Sequence, residues 1–227
     1  PADNITQATI GEITWADGGT LLDASAISND FARLGADSID ISGLKLANPQ
    51  DAAPQSAMTL IAANRTLADF AAVNHSQDYT TNPISGLTVN GTLQGRMSAS
   101  QSAVNYTITA NQATGLTFGN VEWKSSGALL DHRTTLKNVD FTKSKVSTDN
   151  IAFTGIETLN TGDSMTLVSG FGSTSDTITG TTFTLGNKSG EGHAYLENSN
   201  LLYLVTQGLS QDSPGNETGN EPGNTNK

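Results

Sequence analysis

Ile10 to Asp23 reads IGEITWADGGTLLD, and Phe118 to Asp131 reads FGNVEWKSSGALLD. A Gly, a Trp, a second Gly and the Leu-Leu-Asp ending coincide, and Ile13 is answered by Val121. The echo continues in order. SIDISGLKL (Ser38 to Leu46) is answered by NIAFTGIETL (Asn150 to Leu159), and SAMTLIA (Ser56 to Ala62) by DSMTLVS (Asp163 to Ser169). LTVNGTLQG (Leu87 to Gly95) is answered by FTLGNKSGEG (Phe183 to Gly192), and NYTIT (Asn105 to Thr109) by LYLVT (Leu202 to Thr206). Ordered blocks at a nearly constant offset mark a duplicated structural module of roughly a hundred residues. What recurs is apolar strand residues and turn glycines, which is a signature of architecture.

The repeated text is strand text. Ile39-Asp40-Ile41, Leu87-Thr88-Val89, Tyr106-Thr107-Ile108 and Phe183-Thr184-Leu185 alternate apolar and small polar residues, the period of a half-buried strand. Asp17-Gly18-Gly19, Asn90-Gly91, Ser125-Ser126-Gly127 and Gly186-Asn187 punctuate it, because Gly and Asn tolerate positive φ. Two architectures fit this rhythm: a sandwich or barrel of hairpins, and a β-solenoid. Short strands and small aliphatic residues favour the solenoid, since aromatics are only 6% of the chain and a sandwich core wants more of them. The expectation is an all-β, right-handed parallel β-helix over residues 1–207, with modules over about 10–115 and 118–207. Coils of roughly twenty residues would give nine or ten of them, about 45 Å at about 4.8 Å per coil.

Two stretches interrupt the pattern. SNDFARL (Ser28 to Leu34) before Gly35 fits a short capped helix. TLADFAAV (Thr66 to Val73) places Leu67, Phe70 and Ala71 on one helical face and predicts a short helical insertion over about 62–83. Residues 208–227, GLSQDSPGNETGNEPGNTNK, have no apolar residue after Leu209 and read as a disordered linker.

Composition excludes several functions. The net charge is −11, and the scattered basic residues form no cluster of the kind nucleic acid requires. Lys137, Lys143 and Lys145 are the densest group, and they suit a solvated strand edge. The absence of cysteine rules out disulfides and thiolate metal sites. Combined with an acidic, Thr/Ser/Asn/Gly-rich composition, it suits export across a bacterial envelope. No run of 18 or more apolar residues spans a membrane as a helix. PADNITQ lacks the basic and apolar regions of a signal peptide, so the chain is expected to be mature or a cut fragment.

Catalytic, cofactor and metal sites are expected to be absent. His75, His132 and His193 include no i, i+4 pair and no HExxH, so zinc has no support. His132 reads as a surface turn residue. No GxSxG, GxGxxG or GxxxxGK occurs. Acid/base cleavage of a polysaccharide needs two carboxyl groups bracketing one bond. Asp37/Asp40 and Asp23/Asp131 come nearest, and the second pair occupies equivalent places in two modules. Turn capping explains these aspartates better; Asp37 and Asp40 offer at most a weak calcium site without the recognised loop motifs. Thr107/Thr109, Thr177/Thr179 and Thr182/Thr184 suggest an ice-binding array but lack its many successive coils. Trp15 and Trp123 could be ligand platforms, yet their identical module positions favour core or corner packing. The structural residues are therefore Trp15, Trp123, Gly19, Gly127, Asp23 and Asp131.

VEWKSSGALLDH, the short strands after it, GDSMTLVSGFG and TITGTTFTLG resemble the passenger regions of bacterial type V autotransporters. The resemblance is to the stretch nearest the membrane barrel in large Gram-negative surface adhesins, and it covers nearly all of the chain to about Gln207. It implies a right-handed parallel β-helix, secretion through a C-terminal outer-membrane barrel, and display on the cell surface. The barrel's long amphipathic strands are not in this sequence, which points to an excised passenger piece. The expected function is a non-enzymatic stalk supporting adhesion or self-association and autochaperone-type folding, with host or bacterial surface ligands (protein or glycan) as partners. The alternative is a secreted β-helix polysaccharide lyase or glycosidase.

Overall fold

The computed structural model describes residues 7–25, 39–63, 71–100, 102–173 and 175–210, and these form a β-solenoid of about five turns. The first coil is β1 (Ala8–Thr9), β2 (Glu12–Ile13) and β3 (Thr20–Asp23). The second is β4 (Ile39–Asp40), β5 (Lys45–Leu46) and β6 (Ala57–Ala62). They stack in parallel, Ala8 on Ile39, Glu12 on Lys45 and Thr20 on Thr59. The chain then leaves the solenoid for an antiparallel meander: β7 (Val73–Ile84), β8 (Leu87–Ser100) and β9 (Ala103–Phe118).

The end of β9 begins the third coil, with β10 (Asn120–Glu122) and β11 (Ala128–Asp131). The fourth is β12 (Lys145–Ser147), β13 (Ala152–Thr154) and β14 (Ser164–Ser169). An incomplete fifth, β15 (Thr177–Thr179) and β16 (Thr182–Leu185), turns directly into the hairpin β17 (Lys188–Glu197) and β18 (Asn200–Ser210). The duplication is visible at the level of single pairs. Met58 faces Tyr106 across β6 and β9, and Met165 faces Tyr203 across β14 and β18, each ladder carrying a bulge at the same place. Gly95 and Gly192 stand opposite Ile108 and Val205. A Cβ on either would strike the Tyr106 or Tyr203 ring, so both positions require glycine.

Each module has its own core. The first packs Ile10, Ile13, Trp15, Leu44, Leu46, Leu60, Met97 and Tyr106; the second packs Phe118, Val121, Trp123, Phe141, Phe153, Phe171, Phe183 and Tyr203. Phe141 lies 5.8 Å from Phe171, and Phe153 lies 5.6 Å from Phe183, one coil on in each case. The second core is thus an aromatic ladder, where stacked aliphatics were the expectation. The strands β8 and β9 serve both cores. Leu93, Met97, Val104 and Ile108 lie in the first, and Leu87, Val89, Leu116 and Phe118 lie in the second.

Several sequence expectations change. Leu116 meets Val146 and Thr20 meets Thr59, so one coil takes 30 to 39 residues, and nine or ten coils become about five. Corner loops such as Ala47–Ser56 account for the excess. SIDISGLKL corresponds to KVSTDNIAF (145–153), because β12 stacks on the end of β9 as β4 stacks on β1. Phe183, Thr184 and Leu185 of FTLG belong to β16, which stacks on β13, so the segment does not correspond to LTVN of β8. The helical insertion over 62–83 is replaced from Val73 onward by strand β7; residues 64–70, and the helix expected over Ser28–Leu34, lie outside the described residues. The module boundary near 116–117 falls inside the continuous strand β9. The linker cannot start at 208, because Gly208 and Leu209 lie in β18, with the Leu209 amide on the Leu159 carbonyl at 3.4 Å; residues 211–227 lie outside the described residues.

Candidate functional surface

The meander β7–β8–β9 has two faces of different chemistry. Its inner face is fastened to the second coil by polar side chains from alternate positions of β7. The Gln77 amide accepts from the Leu46 N–H at 2.8 Å and donates to the Leu46 carbonyl at 3.0 Å. It supplies to β5 the pair of bonds that a neighbouring strand would supply. His75 lies 2.9 Å from the Leu44 carbonyl through Nε2 and 2.6 Å from the Tyr106 hydroxyl through Nδ1. A carbonyl only accepts, so Nε2 carries the proton and Nδ1 accepts from Tyr106. Burial holds His75 below its ordinary pKa, partly offset by the Leu44 carbonyl. Tyr79 donates to Asn111 Oδ1 at 2.8 Å, and burial pushes its pKa up to about 12. Asn111, fully buried, donates to the carbonyls of Pro49 and Ala52, each at 2.9 Å.

With its inner positions so occupied, the meander presents its alternate positions to solvent. Asn74, Ser76, Asp78, Thr80 and Asn82 on β7 run beside Thr88, Asn90, Thr92, Gln94 and Arg96 on β8. Thr107, Thr109, Gln112, Thr114 and Thr117 continue the face on β9. Cross-strand bonds hold the rows in register: Thr92 to Asp78 at 2.6 Å, Thr80 to Asn90 at 2.7 Å, and Thr88 to Asn82 at 2.9 Å. Two shallow depressions mark this face. One, of about 510 Å³, is bounded by Asp78, Thr80, Asn90, Thr92 and Thr114. The other, of about 390 Å³, is bounded by Asn74, Ser76, Gln94 and Thr109. The face carries hydroxyls and amides with one carboxylate and one guanidinium. It can form many directional hydrogen bonds, and its aspartate has no second carboxylate beside it on the same face.

The six residues singled out from sequence lie elsewhere. Trp15 and Trp123 are 7% and 8% exposed, meeting Tyr106 and Phe153 edge-on at 6.3 and 4.9 Å; neither ring is a surface platform. Asp23 accepts from the Ser25 hydroxyl and N–H, and this holds its carboxyl below the usual range. Asp131 accepts from the Arg133 guanidinium and N–H, with the same consequence. Gly127 has φ +74°, but in the first module the left-handed residue is Gly18 (φ +67°) and not Gly19; the turn slips by one residue between modules. Gly127 and Asp131 border one depression of about 410 Å³ with Arg133, Ser169 and Asn200. Asp40 is exposed and accepts from the Ser42 N–H at 2.8 Å, while Asp37 lies outside the described residues.

His132 is not a free surface residue. Its ring nitrogens meet the carbonyls of Gly170 at 3.0 Å and Val139 at 2.7 Å, and the ring stacks on Phe141 at 4.0 Å. Among the described residues no group of three or more His, Asp or Glu is placed to hold a metal ion. Sequence reasoning missed Gln77, Tyr79 and Asn111, and weighed His75 only as a metal ligand. Their signal was alternation of another kind, with hydrogen-bonding residues where apolar ones were sought. The chain matches no protein-family model, no curated protein and no solved structure, so its function is read from this geometry.

Proposed function

We propose that the chain is a non-enzymatic surface-display segment that works as a stalk and associates with other displayed copies through the outer face of β7–β8–β9. The supporting observation is that face itself: hydroxyls and amides aligned in rows across three strands, held in register from behind by His75, Gln77 and Tyr79. Each net hydrogen bond contributes only about 1 kcal/mol. A single pair of faces therefore holds weakly, and many copies on two surfaces hold firmly. The resemblance to autotransporter passengers supplies the setting: secretion to the surface of a Gram-negative bacterium, with the parent protein continuing into an outer-membrane barrel. In that setting the segment supports adhesion, to host or bacterial ligands as well as to itself, and its stacked coils favour folding outside the cell without an energy source.

The test is display of residues 1–227 on bacterial cells, alongside a variant carrying Asn90→Arg and Gln94→Arg, both exposed on β8. The purified chain is expected to sediment as a monomer at micromolar concentration. Cells displaying it should clump, more so with added salt that screens the net charge of −11, and the variant should not clump at equal display. Clumping that ignores the variant would remove the face from the account. Robust turnover of uronic-acid or neutral polysaccharides, read as new reducing ends or unsaturated product, would replace it with the lyase or glycosidase reading.

A further inference from the structure

The first coil carries the two exposed large apolar side chains found among the described residues, Leu21 at 45% and Leu22 at 44% exposure. They border an apolar groove of about 260 Å³ with Ala8, Ile10, Ile13 and Leu60. Beside the groove, β1 and β2 each have one hydrogen-bonded neighbour among the described residues, β4 and β5. The duplication shows how the same edge is treated when it is covered. Leu116 and Thr117 are the counterparts of Ala8 and Thr9, and Leu129 and Leu130 are the counterparts of Leu21 and Leu22. In the second module, β8 runs antiparallel along the edge of β9, with Leu87 opposite Phe118 and Val89 opposite Leu116. The Gly119 N–H donates to the Gly86 carbonyl in the hairpin turn at 2.8 Å. Leu87 and Val89 are buried in the second core, Leu129 packs against it, and Leu130 is 2% exposed. One module's hairpin thus seats the first coil of the next.

We infer that the edge of β1 and the groove at Leu21 and Leu22 form an acceptor for another module of this type, which would dock a β-hairpin strand antiparallel to β1. That strand carries apolar side chains at alternate positions, as Leu87 and Val89 do. Neither of the hairpins β7–β8 and β17–β18 among the described residues can fill the role in a second copy. The β7–β8 hairpin is already seated on β9, and β17 begins at Lys188, four residues before Gly192, whereas β8 begins at Leu87, eight residues before its counterpart Gly95, so the seating stretch has no equivalent in β17. The donor is therefore a module whose hairpin is not yet occupied. This inference is independent of what the outer polar face binds.

The test builds such a donor from the protein's own sequence. Residues 1–117 are joined to residues 10–227, which places Ile10 after Thr117 as Phe118 follows it naturally. The chain has no cysteine, so Leu22→Cys is a unique thiol probe, placed in the 227-residue chain and in the second copy of the extended chain. The thiol is expected to react rapidly with a soluble disulfide reagent in the 227-residue chain and at least tenfold more slowly in the extended one. Leu87→Asp with Val89→Asp in the added module should restore the fast rate. Equal rates in the two chains would overturn the inference, including where the added module fails to fold, because an acceptor edge has to template its hairpin. A slow thiol in the 227-residue chain would overturn it too, since the groove would then be filled already.

Discussion

Tyr106 and Tyr203 occupy the same place in two modules, under Gly95 and Gly192, and both are fully buried. Burial raises the pKa of each; Tyr106 has a hydrogen-bond partner, His75 at 2.6 Å, whereas the Tyr203 hydroxyl has none among the described residues. An unpaired buried polar group costs about 1–3 kcal/mol. Tyr106→Phe strands the His75 Nδ1 acceptor and should lower stability by about 1–3 kcal/mol. Tyr203→Phe removes an unpaired hydroxyl and should leave stability unchanged or raise it. Urea midpoints of the two variants check this, and equal losses would refute it. His75 adds a pH dependence. Its folded pKa lies below its ordinary value because burial disfavours the charged ring. Its contribution is therefore complete above about pH 6.5, the unfolded value, and is lost as pH falls through the lower folded value. Between pH 7.5 and 5 the wild type should lose more stability than His75→Gln, which has no ring to titrate.

At the scale of elements, the two modules solve one problem by different means. The second coil of each has an edge strand to cover. In the second module, strand β16 stacks directly on β13. In the first, β5 is met by the Gln77 side chain. Gln77→Ala should speed hydrogen exchange at the Leu46 amide by tenfold or more and leave the Phe153 amide unchanged; an unchanged Leu46 amide would show that β7 covers the edge without Gln77. The same difference explains what the sequence disclosed. The blocks at 10–23 and 118–131, at 56–62 and 163–169, and at 105–109 and 202–206 are stacked or paired strands, and their apolar residues recur because each must fill the same place in a coil. The match of SIDISGLKL failed because the coil carries two apolar pairs of the same spacing, Ile39/Ile41 and Leu44/Leu46, five residues apart, and only the stacking partner tells which of them Ile151 and Phe153 answer. VNHSQDYTTNPI hid a 12-residue strand, since its inward residues are His75, Gln77 and Tyr79, which hydrogen-bond to the Leu44 and Leu46 backbone and to the Tyr106 and Asn111 side chains instead of packing as apolar groups. Of the candidate surface, the Thr107/Thr109 pair was legible, whereas its assembly with β7 and β8 on one sheet depended on that hidden strand.

At the scale of the molecule, β8 and β9 make one body of two modules. Unfolding the first module would strip Leu93, Met97, Val104 and Ile108 from their core, and with them the support for Leu87, Val89, Leu116 and Phe118 in the second. A solenoid of independent repeats can lose its ends separately; here the ends share their longest strands. The polar face proposed for association is the back of that shared sheet, so it should be lost together with both cores in the one transition. Each module holds one tryptophan, Trp15 in the first core and Trp123 in the second. Trp123→Phe leaves Trp15 as the reporter of the first module, and Trp15→Phe leaves Trp123 as the reporter of the second. The decisive measurement is urea unfolding of both variants followed by tryptophan fluorescence, with far-ultraviolet circular dichroism on the same samples. The shared-strand account predicts that fluorescence and circular dichroism report one coincident transition within each variant. A fluorescence transition displaced from a separate step in circular dichroism would contradict it, because the modules would then unfold as two independent bodies.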